Sequence, residues 1–262
     1  PVPPGFTITT EICNKYYDNN GKLPKDVMPA VMKNIAKMEK KTGKKWNSTK
    51  NPLLVSVRSG AAISMPGMMD TILNLGLNEK TVEGFAEQTK NPRFSWDSYR
   101  RFIQLFGKVV FGVNDEKFDH VLDDAKEKQG VTDDSKLNVE SLKTIVSKYK
   151  KICEEHTKRK FPDTPNEQLV LSIEAVFKSW MGERAIVYRE KNNITKDIAN
   201  GTAVNVVTMV FGNMGDDSAT GVVFTRNGHN GKREIEGEYL TNAQGEDVVA
   251  GVRTGKNVEL LK

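Results

Sequence analysis

Arg58 is the residue whose setting most suggests chemistry. It closes an apolar run, Leu53-Leu54-Val55-Ser56-Val57, bounded by Pro52 and by Arg58-Ser59-Gly60. Such a run reads as a buried strand that delivers Arg58 at its carboxyl end. A loop rich in glycine and methionine follows from Ser64 to Asp70, and Met68-Met69-Asp70-Thr71 is expected near a helix start. Strand ends in α/β sheets are where ligands bind. An arginine there offers a planar fork of donors that matches phosphate oxygens. Gly67 would let the backbone approach an anion, and amides in such a loop can form an anion nest. The residues alone leave two readings open: a phosphate site, or a structural arginine capping a strand.

Other chemistries lack their residues. The chain has no GxxxxGK[ST], GxGxxG, HExxH or CxxC, so the common phosphate-loop, dinucleotide and zinc signatures are missing. His120, His156 and His229 have no partner at metal-ligand spacing. The first two read as ordinary helix residues and His229 as a turn residue, so no metal ligand is assigned. Asn47-Ser48-Thr49 and Asn193-Ile194-Thr195 match the glycosylation sequon and are read as incidental.

The elements that must hold Arg58 can be read in outline. Phe6 to Thr10 alternates as a short strand, with a helix from about Thr10 to Tyr17. Val27, Val31, Ile35 and Met38 mark a helix over 26–42, with Asp26 as cap and Pro29 in the first turn. The lysines from 37 to 45 read as its solvated face and exit loop. Residues 79–160 are mostly helical, with Phe94, Trp96, Tyr99, Phe102, Ile103, Leu105 and Phe106 read as the core-facing side of an amphipathic stretch. Residues 140–160 form a basic amphipathic helix, but Glu154 and Glu155 interrupt its positive face and weaken a nucleic-acid reading. A further helix covers 166–180. Strands follow at 204–211, 221–225, 234–240 and 247–252, with a turn at His229-Asn230-Gly231. The expected class is α+β: strands, a helical middle, then an antiparallel-looking strand block.

Composition narrows the classes further. The chain has 262 residues, 37% hydrophobic and 28% charged, a foldable balance. No apolar run approaches the roughly eighteen residues of a membrane helix. Two cysteines, Cys13 and Cys153, cannot build a disulfide scaffold, so an intracellular compartment is expected. The net charge of +5 is a mild excess that suits a phosphate-rich small ligand as well as a nucleic acid. The opening Pro1-Val2-Pro3-Pro4 has no Met and no signal core, so the sequence is read as a piece of a longer polypeptide.

Several segments carry a resemblance. Val55 to Gly60 and Ser64 to Gly76 are similar to the pyruvate, phosphate dikinase family. So are Asn91 to Phe94 with Asp97 to Gln104, Arg184 to Arg189, Gly201 to Val206 with Thr208 to Asn213, Gly221 to Asn227, and Asn242 to Gly251, in the family's order. The resemblance implies an ATP-grasp-like nucleotide-binding domain with a helical insert subdomain. Its parts are expected at 1–77 (phosphate-binding loop), 78–163 (helical subdomain) and 164–262 (a helix and a strand-rich part with the adenine hinge).

That family makes phosphoenolpyruvate, AMP and pyrophosphate from pyruvate, ATP and phosphate. The resemblance implies ATP and Mg²⁺ as cofactors, and as partners a central phosphohistidine domain and a pyruvate-binding barrel, in an often dimeric enzyme with no nucleic-acid or membrane partner. By the same resemblance Arg58 is the phosphate-binding, catalytic arginine. Gly67, Asp70 and Thr71 line the phosphate pocket, and Thr208, Met209 and Val210 meet the adenine. Val207 stands where the family commonly has Gln, Ala62 where it often has Arg, and Gly228 where it has Pro. The family's glycine-rich lysine loop would precede Pro1, and its acidic metal ligands would follow Lys262. A non-catalytic nucleotide-binding module and a basic interaction module are the alternatives.

Overall fold

The computed structural model describes residues 2–249 and 254–261. Two compact units emerge, Pro1–Met209 and Val210–Lys262.

In the first unit the chain runs β1 (Gly5–Ile8), α1 (Thr10–Asp18), α2 (Val27–Thr42), β2 (Val55–Gly60) and β3 (Thr71–Leu75). Helices α3 (Glu79–Thr89), α4 (Pro92–Phe111), α5 (Glu116–Gln129), α6 (Val139–Thr157), α7 (Pro165–Ser179) and α8 (Glu183–Lys191) follow, and β4 (Ala203–Thr208) completes it. The sheet order is β1-β4-β2-β3, with every neighbour antiparallel. Because side chains alternate faces along a strand, Val55 and Val57 share the buried face with Val204, Val206 and Ile72, all fully buried. Helix α7 packs on β2, β3 and β4 through the core that Leu169, Ile173 and Val176 share. The opposite face carries Arg58 and Asn205.

The helical middle follows its sequence signals. Asn78 forms a capping box with Thr81, Asn91 caps α4 ahead of Pro92, and Thr164 caps α7 ahead of Pro165. Helix α4 centres this part, with Phe94, Tyr99, Phe102 and Phe106 buried along one face and Phe161 packed on Phe102 and Phe106. Its Gly107 is required by close packing: a Cβ there would lie 2.7 Å from Phe118 Cζ and 2.8 Å from Cys153 Sγ. Asp97 on the same helix is buried with Arg100, whose Nη2 lies 2.7 Å from Asp97 Oδ1. Arg101 reaches the other carboxylate oxygen at 3.2 Å.

The second unit holds β5 (Ala219–Phe224), β6 (Glu236–Thr241), α9 (Gly245–Val249) and β7 (Lys256–Asn257), in a three-stranded antiparallel sheet ordered β5-β6-β7. The link between β5 and β6 turns at Asn227, whose Oδ1 accepts from the amides of His229 and Asn230. Gly231 there adopts φ of 72°.

Several expectations need correction. Thr71 begins a strand, not a helix: Ile72 pairs with Val57, and Thr71-Ile72-Leu73 favours extended backbone. Arg58 is the fourth residue of β2 and not its last. The strand expected to 211 ends at Thr208, and it belongs to the first sheet, so the late strands are not one block. Residues 247–249 are helical, because the Asp247 carboxylate accepts from the Gln244 amide at 2.8 Å and closes a helical turn. Residues 250–252 of that expected strand lie outside the described residues. Asp26 stands at the start of α2 without a side-chain cap bond.

Candidate functional site

Four residues lie abreast on the open face of the first sheet. Thr7 pairs with Asn205, Asn205 with Arg58, and Arg58 with Thr71, one residue from each strand. Arg58 is exposed, and Ser56 beside it on the same face is buried. Arg58 Nε donates to Ser56 Oγ at 3.0 Å. Ser56 Oγ in turn donates to the Val207 carbonyl at 3.4 Å. The guanidinium is therefore held at its inner nitrogen. Its two terminal nitrogens make no hydrogen bond or ion pair among the described residues. A cation oriented by the fold and not neutralised by it is an anion receptor in waiting.

Beyond β2 the chain loops from Ala61 to Asp70. Met65 is buried and anchors the loop, and its carbonyl accepts from the Met68 amide. Gly67 has φ of +72°, with nothing within 4 Å of the position a Cβ would take. It serves the left-handed turn. Arg184 at the start of α8 donates from Nη1 to the Gly67 carbonyl and from Nη2 to Asp70 Oδ1, each at 3.2 Å. The Asp70 amide faces Ser179 Oγ at 3.4 Å. Burial pushes the Asp70 carboxyl above its usual range, and Arg184 opposes that rise. The Asp70 carboxylate is thus engaged with a cation, while Thr71 sits in register with Arg58.

Thr208 and Met209 end the first unit. The Thr208 amide and hydroxyl both bond the Pro4 carbonyl at 2.9 Å. The Met209 amide bonds the Leu54 carbonyl at 2.9 Å, and its side chain is buried. Thr208 stands three residues along β4 from Asn205, the residue abreast of Arg58, a separation of about 10 Å at strand rise. Val210 opens the second unit and is 72% exposed.

The fold therefore brings Arg58 and Thr71 side by side and ties Gly67 and Asp70 together through Arg184. Thr208 falls at the far end of β4 but on its buried face, with Val204 and Val206 and opposite to Asn205, and Met209 follows it. Sequence reading missed Asn205, Thr7, Ser56 and Arg184. Alternation in β2 and β4 gave a signal for the first and third, since it places Ser56 with Arg58 and Asn205 with Val207. Elsewhere a cavity of about 490 Å³ opens among α4, α6 and α7, lined by Phe111, Lys160, Glu167, Glu174 and Lys178. It contains none of the residues above. Among the described residues no group of three or more His, Cys, Asp or Glu could hold a metal ion, and no helix is long and apolar enough to cross a membrane.

Comparison with known proteins adds a second line. The family model described as pyruvate phosphate dikinase, AMP/ATP-binding domain, matches residues 19–262. A pyruvate, phosphate dikinase of Entamoeba histolytica is 56% identical over 97% of this chain and 29% of its own length. That of Clostridium symbiosum is 52% identical over 100% of this chain and 30% of its own length. The chloroplastic enzyme of Arabidopsis thaliana is 49% identical over 100% of this chain and 27% of its own length. The chain spans under a third of the length of these relatives.

Proposed function

The chain belongs to the pyruvate phosphate dikinase AMP/ATP-binding domain family, and from that membership we propose that it binds ATP as the nucleotide-binding part of a pyruvate, phosphate dikinase. The observation that carries this reading is Arg58, anchored at Nε by Ser56 with its outer fork open. Arg58 receives phosphate oxygens, with Thr71 beside it and Gly67 and Asp70 shaping the adjoining loop. Backbone groups from Thr208 to Val210 read the adenine edge, and Met209 supplies apolar contact. The separation along β4, about 10 Å at strand rise, suits a nucleotide whose adenine meets backbone at the end of the strand and whose phosphates reach Arg58. The architecture is of the ATP-grasp type, with α3 to α6 as its helical insert.

The whole enzyme would make phosphoenolpyruvate, AMP and pyrophosphate from pyruvate, ATP and phosphate, with a phosphohistidine domain and a pyruvate-binding barrel as partners of this part. Phosphoryl transfer by such enzymes uses Mg²⁺ to neutralise phosphate charge. The described residues do not fit a magnesium cage, since no acidic cluster gathers among them.

Two measurements test the reading. Titrating ATP and GTP into the 262-residue chain should give weak binding, on the order of millimolar for ATP, with GTP weaker. Equal affinity for both nucleobases would contradict an adenine site. Mixing the chain with ATP, Mg²⁺ and phosphate should yield no AMP, because no histidine of this chain lies in a phosphohistidine-like segment.

A further inference from the structure

The donor beside Arg58 on the open sheet face has no role assigned so far. Asn205 sits in register with Arg58 on the neighbouring strand. Its Oδ1 accepts from Thr7 Oγ1 at 2.7 Å. That bond spends the carbonyl end of the amide on β1 and turns the Nδ2 end the other way, over β2. Gly60, two residues beyond Arg58 on the same face, leaves the room: a Cβ there would lie 2.5 Å from Asn205 Nδ2. The Nδ2 group makes no hydrogen bond among the described residues. No carboxylate pairs with either Asn205 or Arg58 there.

We infer that Asn205 is a second phosphoryl-binding residue, its amide held by Thr7 and given space by Gly60, so that its N–H₂ and the Arg58 fork act on one anion. The inference rests on the ATP-binding reading and names a contact beyond it. Two neutral or cationic donors fixed on one rigid sheet grip phosphoryl oxygens with little ordering cost, because neither side chain must be rearranged when the anion arrives. Thr7 acts through Asn205 and is a positioning residue. The ligand chemistry is a phosphoryl group, from a nucleotide or from free pyrophosphate.

Calorimetry on the full 262-residue chain, with ATP, pyrophosphate and adenosine as titrants, separates these roles. Asn205→Leu should weaken ATP by roughly tenfold, the size of a hydrogen bond to a charged group. Asn205→Asp should weaken it further, since it sets a negative charge against the phosphate. Adenosine binding should not change in either variant. Thr7→Val should cost severalfold and Gly60→Ala about as much as Asn205→Leu. Pyrophosphate weakened in parallel with ATP assigns the contact to the phosphates, and ATP weakened alone places it on another part of the nucleotide and overturns the inference. If Arg58→Ala weakens ATP but the Asn205 variants do not, the inference fails and the ATP-binding reading stands. If Arg58→Ala has no effect either, that reading itself fails. A variant-free check covers poor folding. The Asn205 side-chain amide resonances should shift when pyrophosphate is added to the unmodified chain and stay fixed with adenosine, and no shift with pyrophosphate overturns the proposal.

Discussion

An arginine tethered through Nε differs from a lysine in a way that can be measured. Arg58→Lys keeps the charge but loses both the Ser56 anchor and the planar fork. ATP affinity in that variant should fall by about tenfold, and by more in Arg58→Ala, as read by calorimetry. Retention of full affinity by the lysine variant would mean that charge alone matters. A second charged group answers to pH. Burial alone would raise the Asp97 carboxyl, but Arg100, Arg101 and Arg93 overcome it and hold the group well below the usual carboxylate range. The folded-state value lies below the unfolded one, near 3.9. The stability contributed by ionised Asp97 is therefore fully present above about pH 4 and is lost as pH falls through the folded-state value. Asp97→Asn should lower stability at neutral pH by about 3 kcal/mol, since it leaves buried Arg100 with only the more distant Asp134 carboxylate, at 3.6 Å. The difference from the unmodified chain should shrink in acid, and chemical denaturation at pH 7 and pH 2.5 checks both points.

At the scale of elements, the helix signals were legible and the strand order was not. The apolar spacing gives the helices but does not pick out the caps Asn78, Asn91 and Thr164, and Asp26, the one cap read from sequence, makes no side-chain cap bond. The alternation of Val204, Asn205 and Val206 likewise gives a half-buried strand. Nothing local says that this strand lies between β1 and β2. Thr7 and Asn205 are 198 residues apart, and their bond exists only through that order. The extended start at Thr71 was missed because a glycine loop before a polar pair resembles a helix entry, whereas pairing of Ile72 with Val57 decided the conformation. Residue types pointed to Arg58 and the Gly67 loop, while family resemblance supplied the roles of Asp70 and Thr71 and the adenine hinge. Close packing gives a prediction that propensity alone would reverse. In an open helix Gly→Ala stabilises by about 1 kcal/mol. In α3 a Cβ on Gly84 would lie within van der Waals overlap of the Thr49 carbonyl, at 1.9 Å, against backbone that cannot rotate away. Gly84→Ala should destabilise by about 1–3 kcal/mol, measured by thermal melting, and a stabilised variant would refute the packing.

Across the whole molecule the two units differ in how well they cover their sheets. In Pro1–Met209, β2 and β4 bury one face through Val55, Val57, Val204, Val206 and Thr208. In Val210–Lys262, β5 leaves Val222, Val223 and Phe224 exposed at 43%, 51% and 59%. Local opening is governed by buried apolar contact. Amide hydrogens of β5 and β6 should therefore exchange markedly faster than those of β2 and β4, and equal protection in the two sheets would contradict the burial. The central claim concerns the open face of the first sheet. The most direct measurement is a crystal structure of the chain with a non-hydrolysable ATP analogue. Phosphoryl oxygens within about 3.2 Å of the Arg58 terminal nitrogens, with the adenine against Thr208 to Val210, is the result expected. Phosphates bound away from Arg58, or an adenine bound elsewhere, would contradict it.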